Sequence, residues 1–149
     1  MGKTEQFLEH AAALEQGLLD IGRASKASGV SVKMVRHYEE IGLLKKVART
    51  YANYRVYTAN DVHTLRFIKR ARGLGFAVED IRELLSLWQN KSRPSASVKK
   101  IARQHMEALR TRIAELKSMA DALEHLVDHC HGDQRPACPI LEDLERVSP

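Results

Sequence analysis

Apolar and polar residues between positions 20 and 44 are spaced as in two short helices with a break between them. Asp20 can cap the first helix, which turns three apolar residues inwards: Ile21, Ala24 and Ala27. Gly29 supplies the break, and Ser31 can cap a second helix whose Val32 and Val35 face the core. This spacing predicts a helix-turn-helix.

The second helix carries the residues that can face a ligand. Lys33, Arg36 and His37 point outwards in the same pattern. In a helix-turn-helix the second helix lies in the major groove with its early residues at base edges. Lys33 and Arg36 occupy that early part, so we expect them to contact DNA.

The segment KKVARTYANYRVYTANDV alternates aromatic and β-branched residues with polar ones, which is typical of a β-hairpin. The turn is expected at Tyr51–Ala52–Asn53, since Asn tolerates the left-handed backbone of tight hairpins. Arg49 and Arg55 would flank this wing with Tyr54 beside them, a combination suited to the sugar-phosphate backbone. Packing of the hairpin onto the helices is the alternative role for Tyr54 and, more strongly, for Tyr57.

A second helix pair follows, with Asn60 as its cap and a break at Gly73–Gly75. Its apolar residues recur at helical spacing: Val62, Leu65, Ile68, Val78, Ile81, Leu84, Leu85 and Trp88. Trp88 is expected in the core. Arg72 lies near the end of the first of these helices, where it can contact phosphate or form part of a solvated basic face.

Beyond the polar segment QNKSRPSAS, the pattern predicts an uninterrupted helix from about Ala96 to His129, roughly 50 Å long. Its apolar residues recur by threes and fours and form one seam: Met106, Leu109, Ile113, Leu116, Ala120, Leu123 and Val127. Such a helix cannot bury its seam alone, so we expect an antiparallel coiled coil in a homodimer. Two recognition helices related by a two-fold axis would then read a palindromic site.

The patterns divide the chain into four parts. Residues 1–19 form an N-terminal extension with the apolar spacing of a helix, and residues 20–90 form the winged helix-turn-helix domain. Residues 91–129 hold a linker and the dimerisation helix, and residues 130–149 hold a loop and a short C-terminal helix. The predicted fold class is therefore mostly α, with a small β-hairpin wing.

Composition indicates the compartment and the partner. The 149 residues are 44% hydrophobic and 29% charged, as in ordinary soluble proteins. No stretch approaches the roughly 20 apolar residues that span a bilayer, so a cytoplasmic protein with no membrane partner is expected. Residues 20–90 hold 13 Lys or Arg against 7 Asp or Glu, a local charge of +6. This excess suits phosphate neutralisation, with a solvated basic face as the alternative.

Both cysteines, Cys130 and Cys138, stand in one short segment, CHGDQRPACP. A disulfide, a two-thiolate metal site and two buried thiols all fit it, although a reducing compartment disfavours the disulfide. Two thiolates select soft metals and can hold a monovalent d¹⁰ ion, and the helix that starts at Pro139 can stabilise their charge. A divalent ion would need another donor. His129 and His131 are the local candidates, with simple solvation at a helix end as the alternative.

The order of these parts resembles the MerR family of transcriptional regulators. The strings that carry the resemblance are MVRHYEEIGLL, RTYANYRVYT and GLGFAVEDIRELL, and it runs from about Asp20 to Pro149. Ala52–Asn53 replaces the usual Asn-Gly of the wing, and Lys45–Lys46 stands where a proline is common. The resemblance implies a dimer that distorts an overlong promoter spacer so that RNA polymerase can use both promoter elements. The residues expected to contact DNA are Lys33, Arg36, His37, Tyr38, Arg49, Tyr54, Arg55 and Arg72.

Two cysteines with seven residues between them, followed by Pro-Ile, look like the metal-binding loop of the copper-efflux regulators, the CueR or HmrR type. This implies that Cys130 and Cys138 bind one Cu(I) per subunit, or Ag(I) or Au(I). Divalent-metal sensors of the family carry a further cysteine near the start of the dimer helix. This chain has Ser95 there, which would close the site from the partner subunit without ligating metal, and a plain N-cap role fits Ser95 equally well.

The predicted function is activation of metal-efflux genes in response to a metal ion. A divalent-metal or thiol-redox responsive regulator of the same family is the first alternative. A coiled-coil metal carrier is another, although it leaves the helix-turn-helix and the wing without a role. The chain shows no Ser-His-Asp order, phosphate loop or suitably placed carboxylate pair, so an enzyme is not expected.

Overall fold

The computed structural model describes residues 7–8, 17–50, 53–130, 132 and 138–146. The chain divides into two compact units, the first ending at Val98 and the second beginning at Lys99. The described part is mostly helical with a few two-residue strands, which confirms the predicted fold class. None of its helices combines the length and the apolarity that a bilayer crossing requires.

Short strands and helices alternate in the first unit. Their order is β1 (Phe7–Leu8), β2 (Leu19–Asp20), α1 (Ile21–Ser28), α2 (Val32–Glu40), β3 (Arg49–Thr50), β4 (Val56–Tyr57), α3 (Ala59–Gly73) and α4 (Val78–Gln89). The long helix α5 (Ser95–His129) begins at the end of this unit and continues through the second unit, which also holds α6 (Pro139–Glu145).

The first two helices begin and end where local side chains satisfy the backbone. The carboxylate of Asp20 accepts a hydrogen bond from the Arg23 amide at 2.8 Å, and the Ser31 hydroxyl accepts one from Met34 at 3.3 Å. These bonds satisfy amide donors that have no partner inside the helix. Gly29 ends α1 with φ +74°, a left-handed backbone that glycine adopts at little cost. The predicted helix-turn-helix is therefore present.

Helix α3 begins earlier than expected. Its cap is Thr58, which accepts a hydrogen bond from the Asp61 amide at 3.1 Å, while the Asp61 carboxylate accepts one from the Thr58 amide at 2.8 Å. This reciprocal capping box explains why Asn60, the expected cap, lies inside the helix. A hydroxyl and a carboxylate three residues apart satisfy two amides, whereas Asn60 alone would satisfy one.

The hairpin predicted for the wing is confirmed. The Thr50 amide donates to the Tyr54 carbonyl at 2.8 Å, and Arg49 and Arg55 form an antiparallel bridge. Asn53 has φ +66°, the left-handed backbone expected of its position in the turn. The other two residues of the expected turn, 51 and 52, lie outside the described residues.

Additional strands flank the wing. β2 pairs antiparallel with β4, with Leu19 opposite Tyr57, and β1 pairs parallel with β3, with Phe7 opposite Arg49. The described part of the N-terminal extension thus contains strand where a helix was expected, and Gly17 forms a turn. Residues 1–6 and 9–16 lie outside the described residues.

The core of the first unit lies between the helices and the wing. Its side chains without solvent exposure include Val35, Leu65, Ile81 and Tyr57. Trp88 does not join them, which contradicts the prediction: it is 40% exposed and stacks on Phe67, with ring centroids 4.8 Å apart. The reason is its place in the last turn of α4, beyond the buried layer that the earlier turns supply.

Candidate DNA interface and thiol pair

The outer face of α2 is basic and open. Lys33, Arg36 and His37 are exposed, as the helical spacing predicted, while Val35 on the opposite side is fully buried. The serine cap and the buried valine fix which side of α2 faces outwards. The helix therefore presents its cationic residues on a surface that a nucleic acid can approach.

The recognition helix, which is α2, and the wing meet at one depression of about 500 Å³. It is lined by residues from α1, α2 and the wing: Asp20, Ile21, Arg36, Arg49, Asn53, Tyr54 and Arg55. Four predicted DNA-contact residues thus share one surface feature. Tyr54 is 63% exposed there, which leaves most of its side chain open to a ligand. Packing is the role of Tyr57, which has no exposure.

Arg49 stabilises the wing turn. Its Nη1 donates to the Asn53 carbonyl and to the Asn53 side-chain oxygen, both at 3.3 Å. These bonds hold the left-handed turn closed. Arg49 as a whole residue is half-buried, and its side chain lines the depression.

Arg55 joins the wing to the recognition helix. Its Nε lies 3.0 Å from Oε2 of Glu39, and their side chains are only 21% and 7% exposed. The two atoms are close enough for an ion pair, but they are not aligned as a hydrogen bond. Neither atom has another hydrogen-bond partner. Arg55, which we expected to contact DNA, thus also links the wing to α2, and its contact with DNA stays a prediction. Sequence reasoning missed Glu39, since a glutamate near the end of a helix is usually exposed.

Two other residues of the predicted DNA interface, Tyr38 and Arg72, make contacts within the protein. Tyr38 is only 6% exposed, and its carbonyl accepts from the amides of Leu43 and Leu44, so it belongs to the core behind α2. Arg72 is exposed, but its Nη1 donates to the Phe76 carbonyl at 3.1 Å and closes the turn between α3 and α4. Tyr38 follows the buried Val35 by three residues. This spacing is typical of core positions on a helix and could have indicated its burial from the sequence.

Other arginines tie distant segments together. Arg66 donates through Nε and Nη2 to the Ala27 carbonyl at 3.1 and 2.8 Å, which satisfies a terminal carbonyl of α1. Arg82 donates to the Ile41 carbonyl at 2.8 Å and so anchors the end of α2. The partners stand 39 and 41 residues apart, so no local pattern indicates these contacts.

In the second unit, the two cysteines are brought together. Both are free thiols, with Cys130 just after α5 and Cys138 at the N-cap of α6. The pKa of the Cys138 thiol is lowered, first because the Leu141 amide faces it and then because of the Ile140 amide and the Cys130 thiol. Neither amide forms a well-aligned hydrogen bond to the Cys138 side chain. The two amides therefore lower the pKa of this thiol as nearby N–H groups at the N-terminus of α6.

The two thiols stand without a larger group of donors in the described part of the chain. The described residues contain no group of three or more His, Cys, Asp or Glu able to hold a metal. His129 turns its Nδ1 to the His125 carbonyl at 2.7 Å and is not part of a larger donor cluster with the thiols. His131 lies outside the described residues. Two thiolates alone suit near-linear coordination of a d¹⁰ ion, whereas Zn²⁺ prefers four ligands.

The long helix carries an uncovered apolar seam. Its residues are between 42% and 64% exposed in the single chain: Met106, Leu109, Ile113, Leu116, Leu123 and Val127. Ala120, in the same seam, is also exposed. Ser95, the residue expected to close the metal site from a partner, is the exposed first residue of α5. A seam of this length in water is typical of an interface.

Two family profiles match the chain. Residues 19–88 match the profile described as MerR HTH family regulatory protein, and residues 62–126 match the profile described as MerR, DNA binding. Together they cover the helix-turn-helix, the wing and most of α5.

Named relatives cover most of the chain. The HTH-type transcriptional regulator HmrR of Sinorhizobium medicae is 55% identical over 128 residues, which are 86% of this chain and 87% of the relative. Heavy metal-dependent transcription regulator 2 of Rhizobium meliloti is 55% identical over 130 residues, or 87% of this chain and 88% of the relative. The HTH-type transcriptional regulator CueR of Salmonella typhimurium is 36% identical over 126 residues, or 85% and 91%.

Solved structures have the same fold. The transcription regulator PbrR691 from Ralstonia metallidurans, in complex with lead(II), is 31% identical with a TM-score of 0.75 and covers 85% of this chain and 98% of its own. The regulator MerR from Bacillus megaterium, in complex with mercury(II), is 28% identical with a TM-score of 0.62 over 83% and 95%.

Proposed function

The chain belongs to the MerR family of helix-turn-helix regulatory proteins, and from this premise we propose that it is a homodimeric transcriptional activator that responds to Cu(I), or to Ag(I) or Au(I). Members of this family are DNA-binding regulators, so the chain is not an enzyme. The target genes would be those of metal efflux, and a palindromic promoter element would be the binding site.

One observation carries the metal class. The Cys130 and Cys138 thiols lie together at the start of α6, where backbone amides favour the thiolate of Cys138, and no third donor joins them in the described part of the chain. Two thiolates and one monovalent cation leave a net charge of −1, which the helix start can stabilise. One ion per subunit satisfies both sulfurs.

Relatives support the metal response in general. Two of them are named as heavy-metal-dependent regulators or as HmrR, and CueR is a more distant match. The similarity to a lead(II) complex favours a divalent ion as the second candidate. A divalent ion needs more donors than the two thiols, and Ser95 stands where the resemblance places a further cysteine in divalent sensors, so the monovalent ion remains the better fit.

DNA binding would use α2 and the wing of both protomers. Lys33, Arg36 and His37 supply exposed donors, and Arg49 and Tyr54 line the adjoining depression. The seam on α5 would join the protomers and set the distance between their recognition helices. A dimer with two-fold symmetry binds two half-sites in fixed register.

Activation would proceed by distortion of the promoter, with RNA polymerase bound to the same DNA. Bending DNA costs a few kcal/mol, which contacts from the dimer must offset. The metal can act as a switch only by binding one arrangement of the dimer more tightly than another. Ordering of the 130–138 segment against the partner's DNA-binding domain, with Ser95 closing the site, is the coupling we propose.

Metal specificity is tested by anaerobic titration of the reduced full-length protein. Cu(I) in competition with a Cu(I) chelator, and Zn²⁺ separately, are compared for the wild type, Cys130→Ser and Cys138→Ser. We expect one Cu(I) per subunit in the wild type and loss of tight Cu(I) binding in both variants. His63→Gln, which changes an exposed histidine of α3, is the matched control and keeps the wild-type Cu(I) stoichiometry.

Transcription from an operator selected from randomised duplexes is measured in parallel. Cu(I) should activate the wild type and His63→Gln but neither serine variant. An equal metal response in both serine variants contradicts the sensor function. Metal uptake without any specific, salt-sensitive DNA binding supports the carrier instead, and reversible formation of a Cys130–Cys138 disulfide without metal uptake supports a redox switch.

The DNA interface is tested by single charge deletions. Lys33→Ala and Arg36→Ala should each weaken operator binding by about 1–3 kcal/mol if they read bases, or lower the salt dependence by about one charge if they bind phosphate. Lys91→Ala removes the same charge from the linker and serves as the control. Equal effects of all three substitutions would show that only net charge matters.

A further inference from the structure

Two histidines stand one turn apart at the end of α5. His125 and His129 are both exposed, and their ring centroids lie 4.2 Å apart with the planes tilted by 41°. Residues four apart on a helix share one face. This pair is separate from the two thiols and has no role in the function proposed above.

The ring of His129 is already oriented as a metal ligand would be. Its Nδ1 lies 2.7 Å from the His125 carbonyl. A carbonyl only accepts, so Nδ1 carries the proton and the lone pair is on Nε2. Metal-binding histidines characteristically donate their second ring nitrogen to a carbonyl or carboxylate, which fixes the tautomer and the ring orientation. The same bond here leaves Nε2 of His129 available.

The spacing of the rings is close to that of a chelate. With metal–nitrogen distances of ~2.0–2.1 Å and a tetrahedral angle, two imidazoles on one Zn²⁺ have centroids about 5 Å apart. The observed separation is 4.2 Å, within about 1 Å of that value. Two histidines four apart on a helix are also the spacing with which helical zinc sites hold their metal.

The pair lies away from the predicted dimer seam. Leu123 and Val127 belong to the seam, and His125 and His129 each follow one of them by two residues. Two residues turn a helix by roughly 200°, so the imidazoles face the side opposite the seam. They stay accessible when the seam is covered by a second copy, and each protomer holds its own pair.

Neighbouring carboxylates do not complete the donor set. Asp121, one turn before His125, is paired with Lys117 at 2.6 Å. The described residues hold no group of three or more potential ligands. Two imidazoles are fewer than the three or four protein ligands of most zinc sites, so a cation here would complete its coordination with water and be bound weakly.

We propose that His125 and His129 form a second metal site, which takes one borderline divalent cation such as Zn²⁺ and is distinct from the thiol pair. Imidazole nitrogen suits such cations, whereas thiolates select soft monovalent ions, so the two sites differ in the metals they bind. The bound cation links the last two turns of α5 directly before Cys130. It would therefore stabilise the helix end from which the thiol-bearing segment starts.

The test uses the full-length Cys130→Ser/Cys138→Ser protein, so that no thiolate can bind the added Zn²⁺. Calorimetric titration with Zn²⁺ should show one ion per chain. His125→Gln and His129→Gln should each weaken binding by at least the roughly 10–100-fold that loss of even a second-shell group costs. His63→Gln, an exposed histidine on α3, is the matched control and should bind as its parent does.

Amide exchange provides a second measurement. If His125 and His129 had only a structural role, Zn²⁺ would not change the exchange rates. Zn²⁺ should slow exchange at residues 126–130 in the parent and in His63→Gln, but not in the other two variants. The proposal is overturned if the thiol-free protein binds no Zn²⁺ or if one ion bridges two chains. It is also overturned if binding is lost in His131→Gln and retained in His125→Gln. None of these outcomes depends on the response to Cu(I).

Discussion

Removal of the Arg55 guanidinium should lower the stability of the DNA-binding unit more than removal of any exposed charge. In Arg55→Met, the Glu39 carboxylate stays in a site where it is only 7% exposed and has lost its cation. Methionine keeps the length and the apolar stem of arginine, so the substitution mainly removes the charge. The wing also loses its link to α2, so we expect weaker operator binding as well.

The magnitude follows from the geometry. Two unit charges 3.0 Å apart attract by about 5–6 kcal/mol at an effective dielectric constant of ~20, and the cost of desolvation offsets much of this. Loss of one partner from a fully buried pair costs about 3–5 kcal/mol. Because Arg55 is 21% exposed, we expect the loss to fall below that range, at about 2–3 kcal/mol. Glu39→Gln should cost less, about 1–2 kcal/mol, since the remaining guanidinium can reach water.

Urea unfolding followed by tryptophan fluorescence measures this loss, because Trp88 is the single tryptophan and lies in the first unit. Protein concentration is held constant, since association contributes to stability. Glu79→Gln is the control: Glu79 and Arg82 are 3.7 Å apart with side chains 83% and 43% exposed, and such pairs contribute about 0–1 kcal/mol. Equal losses for Arg55→Met and Glu79→Gln, or additive losses in the Glu39→Gln/Arg55→Met double variant, would refute the reasoning.

Three further predictions concern other parts of the chain. Burial, and secondarily the Glu39 carboxylate, raises the pKa of Tyr57 from 10.0 to about 12. Burial therefore opposes ionisation of Tyr57 in the folded protein, so stability is unchanged below pH 10 and falls by up to roughly 3 kcal/mol as the pH rises to 12; Tyr57→Phe should remove this fall in urea midpoints measured from pH 7 upwards. Leu116→Asp should yield monomers in sedimentation equilibrium, since it places a charge in the seam, whereas Glu115→Ala should leave a dimer. Deletion of residues 1–16 removes the strand paired with β3 and should speed amide exchange in the wing, and unchanged exchange would contradict a role for that strand.

Local patterns predicted much of the DNA-binding unit. The caps at Asp20 and Ser31, the break at Gly29 and the left-handed turn at Asn53 each depend on residues within a few positions of one another. The same is true of the basic face of α2, where burial of Val35 leaves Lys33 and Arg36 exposed. Short-range chemistry decides such features, so the sequence is sufficient to predict them.

Predictions that depended on what a side chain meets were less secure. Tyr38 was expected at the DNA and lies in the core, and Trp88 was expected in the core and is 40% exposed. Both residues are large and amphipathic, so their spacing alone does not decide between burial and exposure. Cys130 and Cys138 lie together, as their place in one short segment indicated, but the influence of the Leu141 amide on Cys138 required the placement of α6.

The sequence by itself determined which segments after residue 20 are helices, where the recognition helix begins, which side of it is basic and which helix needs a partner. Periodicity and capping encode these properties because they act between residues up to about four positions apart. Only the tertiary structure decided that Arg55 binds Glu39, that Arg66 closes the end of α1 and that β1 lies beside the wing. Those contacts join residues 16 to 42 positions apart in the chain, and folding brings them together only when the helices and the wing pack around one core.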